Sequence, residues 1–218
     1  LPISPVMDVN TNPDNPEIGT RSFSDDPVTC AEFATQQVLA FRDAGVVATG
    51  KHFPGRGDSA VDVHHSMDTF RGDAKRMDEV ELYPYRKLIE AGLPAVMVAH
   101  TIYPAVDDSG LPASVSRNIV QGLLREKLGF QGVVTTDAMG MKGVISLFSG
   151  YGEACAAAIA AGNDLVLAKG DPTEQPAIIA AIKQYIADGK IAEKQIDESV
   201  RRILAMKFRY GKFDEPFE

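Results

Sequence analysis

A chain of 218 residues, 44% hydrophobic and 24% charged, has the ordinary proportions of a soluble globular protein and is long enough to bury a substantial core. Its formal charge of −8, with acidic and basic residues interspersed, disfavours nucleic acid as a partner and favours a neutral or weakly charged small molecule. Cys30 and Cys155 each sit in an Ala-rich helical stretch, read as small buried hydrophobes; they offer neither a disulfide framework nor a CxxC metal site, and the compartment stays open.

The chain opens at Leu1 inside an apolar segment without a Met, which predicts further residues upstream. No apolar run approaches the roughly 20 residues that cross a bilayer, and no leader-like segment opens the chain, so it reads as soluble and as one domain. In chain order, strands are predicted at 3–7, 46–48, 95–99, 132–136 and 164–167. Helices are predicted at 28–44, 78–91, 117–127, 151–161, 175–188 and 193–210, with Ser116 capping the third and Gly129 ending it. In the last helix Ile196, Val200, Ile203, Leu204 and Met206 recur at helical spacing and read as a core-facing stripe.

Alternating βα units with near-continuous apolar strands imply a parallel sheet covered by helices, either an open doubly wound sheet or a closed barrel. The polar residues decide between them. Asp8, Lys51, His52, His100 and Asp137 each follow directly on a predicted strand, and polar groups leaving many strand ends converge in a barrel. The expectation is an α/β fold of the (β/α)8 TIM type, with about five strands present and the first βα units lacking. No GxGxxG opens a helix, and the GRG of residues 55–57 has no Walker-type continuation, so a phosphate cradle is not expected.

The run KHFPGRGD at 51–58, followed by Asp62-Val63-His64, resembles the signature of glycoside hydrolase family 3, and within it the bacterial β-N-acetylglucosaminidase branch. PVMDVNTNPDNPEIGTRSFSDDP at 5–27, VMVAH at 96–100, LREKLGFQGVVTTDAMGM at 124–141 and AGNDLVLA at 161–168 agree in order and spacing, so the resemblance covers essentially the whole chain. Two departures stand out: Arg56 occupies a position where His is common in the family, and the family's preceding barrel strands, with their DQEGG-like segment, are absent. The resemblance implies that residues 1–218 are the C-terminal portion of a single catalytic barrel domain, completed by an upstream segment or another chain. It also implies removal of β-linked N-acetylglucosamine from a small or oligosaccharide substrate, as in cell wall recycling, with no cofactor and no metal.

Retaining glycosidases need a carboxylate to attack the anomeric carbon and a proton donor for the leaving oxygen. Asp137, at the end of GVVTT, corresponds to the family's nucleophile. Asp62 and His64, two apart in a Gly/Asp/Ser-rich loop, form a candidate dyad in which the carboxylate fixes the imidazole as acid/base, while His65 reads as a loop residue. Lys51 and His52 match the family's pair that holds sugar hydroxyls, with buried pairing to Asp8 or Asp137 as the structural alternative. Arg21 resembles the arginine of the family's RSF stretch, with an ion pair to Asp25 or Asp26 as its alternative. Asp8 and His100 are weaker site candidates, because each could orient a neighbour instead. Competing functions are a metal-dependent hydrolase drawing on His52, His64, His65, His100, Asp62 and Asp137, a family 3 β-glucosidase, an N-acetylglucosaminide phosphorylase, and a non-catalytic sugar-binding barrel.

Overall fold

Every strand of the main sheet is preceded by a glycine at positive φ: Gly45 (68°), Gly92 (84°), Gly129 (70°) and Gly162 (117°). A side chain rarely adopts that backbone, so each glycine ends a helix and turns the chain back into the sheet. The structure, a computed structural model, describes residues 3–61, 67–168 and 171–211.

Helix α1 (Pro27–Asp43) starts where the Asp26 carboxylate accepts from the Thr29 amide at 2.8 Å, with Pro27 in the first turn. It leads into β1 (Thr49–Phe53). A two-residue strand β2 (Asp68–Thr69) follows, then a continuous helical stretch made of α2 (Ala74–Arg76), a π-helical turn (Met77–Glu81) and α3 (Leu82–Glu90). Strand β3 (Ala95–Val98) and the short β4 (Thr101–Ile102) precede a second π-helical segment, Asn118–Lys127. The remainder is β5 (Val133–Ala138), α4 (Lys142–Ile145), α5 (Tyr151–Ala161), β6 (Leu165–Leu167), α6 (Gln175–Ala187) and α7 (Glu193–Arg209).

The main sheet runs β1-β3-β5-β6 with every pair parallel. The segment before β1 extends this order: Thr49 N donates to Ser4 O at 2.8 Å, Lys51 N to Pro5 O at 3.0 Å, and Met7 N to Lys51 O at 2.6 Å. That ladder is the strand predicted at 3–7, so five consecutive segments pair side by side, as the expected portion of a (β/α) barrel requires. Strands β2 and β4 pair in a separate small parallel ladder that the sequence pattern did not disclose.

Three predicted boundaries need correction. Residues 46–48 are not a strand; the strand starts at Thr49 and contains Lys51 and His52, because pairing begins at Thr49↔Ala95. Val47 and Ala48 are buried before it, so the apolar run marked burial and not the hydrogen-bond ladder. Strand β5 likewise continues through Asp137 to Ala138, held by the pairing Ala138↔Leu167. The helix predicted at 78–91 begins at Ala74 and passes through the π turn.

The principal core lies between the sheet and the layer formed by α1, α3 and the 118–127 helix, with Val96, Val98, Val134, Tyr85, Leu88, Ile119 and Leu124 at its centre. A second cluster, including Met139, Ala154, Cys155, Ala158 and Ile178, joins α5 and α6. Cys30 and Cys155 are buried free thiols. The stripe predicted on α7 is only partly core-facing: Ile203 and Met206 pack on Val47, Ala95 and Val133, whereas Val200 and Leu204 are exposed. Next to Ile203, the Arg202 guanidinium reaches the buried Asp164 carboxylate at 2.9 Å.

Candidate active site

The C-terminal ends of the 4–8 segment, β1, β3 and β5 bring together Asp8, Lys51, His52, His100 and Asp137. Asp8 is fully buried, and its carboxylate is the hub of the first strands: it contacts His52 Nδ1 at 2.7 Å and accepts from the backbone amides of His52 (3.2 Å) and Arg56 (2.8 Å). Burial opposes its charge, but His52 and these donors together hold its carboxyl below the usual range. His52 therefore takes the buried pairing with Asp8. The Lys51–His52 peptide is cis, and the register between β1 and β3 shifts across it.

Asp137 is half-buried on β5, with one oxygen accepting from the Ala138 amide at 2.7 Å. Burial alone would raise its carboxyl; the neighbouring His52 and His100, the Ala138 amide and Arg56 outweigh it and hold the group below the ordinary 3.8. Half-buried Lys51 lies in the same field. Burial and the proximity of Arg21 pull its ammonium down, while Asp137 and Asp8 pull it up.

His100 is buried, and both ring nitrogens have protein partners: Nδ1 lies 2.7 Å from Ser114 Oγ and Nε2 3.1 Å from the carbonyl of Ala138. Burial, outweighing the nearby Asp137 carboxylate, lowers its basicity. The residue is thus placed behind Asp137, with no ring nitrogen left over for a sugar hydroxyl.

Arg21 is exposed at the end of a short turn, Gly19–Arg21, and donates to the Glu17 carbonyl at 3.0 Å. Asp26 is occupied as the α1 cap, and Asp25 accepts from Ser24 Oγ at 3.4 Å. Asp62, His64 and His65 lie outside the described residues. The loop that leads to them is fixed at its base: Asn12 N donates to Gly57 O at 3.2 Å, Asn12 Nδ2 to Ser59 O at 2.9 Å, and Thr11 Oγ1 to Asp58 Oδ1 at 3.3 Å.

Two features escaped sequence reasoning. Arg56 is buried and ion-paired with Glu17, a partner 39 positions away that no local spacing discloses. Ser114, in a 3-10 turn, reaches His100 across 14 positions in the same way. Among the described residues there is no cluster of three or more His, Cys, Asp or Glu side chains arranged to hold a metal ion.

The glycosyl hydrolase family 3 N-terminal domain matches residues 1–206. Beta-hexosaminidase A of Pseudoalteromonas piscicida is 36% identical over 222 aligned positions, which take in 94% of this chain and 37% of that protein. Among solved structures, a glycoside hydrolase family 3 beta-N-acetylglucosaminidase from Paenibacillus sp. str. FPU-7 superposes with a TM-score of 0.93 at 43% identity, covering 99% of this chain and 41% of that one. Beta-glucoside phosphorylase BglX superposes with a TM-score of 0.91 at 29% identity, covering 98% of this chain and 40% of that one. The chain therefore spans about two fifths of the length of these relatives. On the family match to nearly its whole length, the chain belongs to glycosyl hydrolase family 3.

Proposed function

We propose that this chain forms the nucleophile-bearing part of a retaining β-N-acetylhexosaminidase that removes non-reducing-end β-linked N-acetylglucosamine. The observation that carries the reading is the state of Asp137: a half-exposed carboxylate at a strand end, kept ionised despite burial by His52, the Ala138 amide and Arg56. An ionised, accessible carboxylate is what attack on an anomeric carbon needs. Asp137 forms the covalent glycosyl-enzyme bond as the glycosidic C–O bond breaks. His64, oriented by Asp62, gives its proton to the leaving oxygen and then takes one from the attacking water. Lys51 and Arg21 bind sugar hydroxyls, while His52, Asp8 and His100 fix the groups around them. The barrel, read as one catalytic domain, is completed by a segment upstream of these 218 residues or by another chain.

The test uses the full-length protein with aryl β-N-acetylglucosaminide, β-glucoside and β-xyloside. Comparable rates on all three would sink the acetamido assignment. Asp137→Ala is expected to abolish turnover whatever the leaving group, and a loss below about tenfold would remove it from the nucleophile role. His64→Gly should slow poor leaving groups far more than good ones, with Asp62→Ala a milder version; one common factor for all substrates would make His64 a binding residue. The likeness to a phosphorylase favours one second reading, phosphorolysis, and release of a sugar phosphate when inorganic phosphate is added would establish it.

A further inference from the structure

The Ala138 carbonyl, like any carbonyl, can only accept a hydrogen bond. Its partner 3.1 Å away, His100 Nε2, must therefore carry the proton. The ring is buried and its basicity lowered by that burial, so it is neutral, and a neutral imidazole with Nε2–H has a bare lone pair on Nδ1. The group facing Nδ1 at 2.7 Å is the Ser114 hydroxyl, which must then be the donor.

Ser114 is held for that task from both sides of its backbone. Its amide donates to Ala99 O at 3.0 Å, and its carbonyl accepts from Asn163 Nδ2 at 2.8 Å. Asn163 Nδ2 also donates to Ala158 O at 2.7 Å, which anchors the arrangement to the end of α5. Ser114, Asn163 and Ala158 are all fully buried, so water does not compete. On the far side of the ring, Ala138 is gripped at its carbonyl by His100 while its amide donates to Asp137 Oδ1 at 2.7 Å. The charged and titratable groups facing His100 are Asp137 and Arg56.

We propose that Ser114 is a positioning residue: by donating to His100 Nδ1 it locks the ring as the Nε2–H tautomer, which clamps Ala138 and holds the Asp137 carboxylate in its attacking orientation. The orientation half of this statement rests on Asp137 being the nucleophile; the tautomer half does not. Ser114 touches no substrate in this scheme, so its loss acts on the chemical step and spares binding.

Nitrogen NMR of the wild-type full-length protein tests the first half: His100 should show a protonated Nε2 and a bare Nδ1 at neutral pH, and the opposite tautomer or a doubly protonated ring overturns the proposal. Ser114→Ala should lower kcat on the aryl β-N-acetylglucosaminide about tenfold, the worth of one buried hydrogen bond. Inhibition by free N-acetylglucosamine should stay within about twofold. Ser114→Cys, nearly isosteric with a weak S–H donor, should fall between the two. An unchanged kcat, or a loss of inhibitor affinity that matches the loss of kcat, overturns the positioning role. If Asp137→Ala keeps its turnover, it is the nucleophile assignment that fails, and the NMR result still decides the tautomer.

Discussion

Arg56 shows how much one side chain can commit a local structure. Its amide serves Asp8, its carbonyl accepts from Asn15 Nδ2 at 2.9 Å, and its guanidinium pairs with Glu17, all out of solvent. Buried ion pairs gain little over apolar packing, but removing one partner leaves a stranded charge. Arg56→Met is accordingly expected to cost about 3–5 kcal/mol. The double change Arg56→Met, Glu17→Leu should recover most of that. Urea unfolding of the full-length protein measures both, and equal stabilities for single and double variants would show that Glu17 does not depend on Arg56. The sequence marked Arg56 as a departure from the family's usual His, but it could not reveal the partner, because the contact is made by a loop folding back over 39 positions. Asp137, Lys51, His52 and Asp8 were legible as neighbours in space for the opposite reason: each stands in or just after a short apolar run that is a local feature of the sequence.

At the scale of elements, β1 and the loop after it leave little room around KHFPGRGD. A Cβ on Gly57 would stand 1.8 Å from the Val9 carbonyl oxygen, so the loop can lie on the 8–12 segment only with hydrogen there. From behind, the π turn sets Glu81 against Gly55, where a Cβ would meet Glu81 Cβ at 3.1 Å. Periodicity predicted that helix without its π turn, because the turn occupies Met77–Glu81 at the start of the predicted range, where too little apolar repeat precedes it to show a change of phase. Glu81 is buried, and Arg76 donates to it at 3.2 and 3.1 Å, yet burial pushes its carboxyl up to about 7 against the pull of Arg76, with Asp58 adding to the rise. The linkage follows from the sign. Folded Glu81 holds its proton up to about 7 while the unfolded chain releases it near 4.5, so the folded state binds more protons between those values and loses stability as pH rises through that window. Glu81→Gln has no such titration. Relative to wild type, the variant should gain about 3 kcal/mol between pH 4 and pH 8, with most of the change between 4.5 and 7. Thermal unfolding across that range checks it, and a constant difference at every pH would place the carboxyl back in its ordinary range.

The whole molecule has two margins. At one, the 4–7 segment pairs with β1; at the other, β6 pairs with β5 and has no further neighbour among the described strands. A closed barrel of this type has eight strands in roughly 250 residues, and five paired segments leave both margins as rows of backbone donors and acceptors without a ladder. The apolar surface agrees. Phe33 on α1 is 58% exposed and stacks on the half-exposed Phe23, while Val200, Leu204 and Phe208 on α7 are exposed, Phe208 to 68%. Helices of a barrel normally bury such faces against their neighbours in the ring, and exposed apolar faces of this kind favour association. A polypeptide of residues 1–218 alone is therefore expected to self-associate, to unfold with poor cooperativity and to turn over substrate slowly. Phe33→Lys together with Phe208→Lys should reduce the association without restoring turnover, because charge on the helices removes the adhesive surface but adds no strand. Light scattering, thermal unfolding and the aryl glycoside assay give the three readings, and a stable monomer with the full-length protein's activity would show that these five segments complete a working site without further strands.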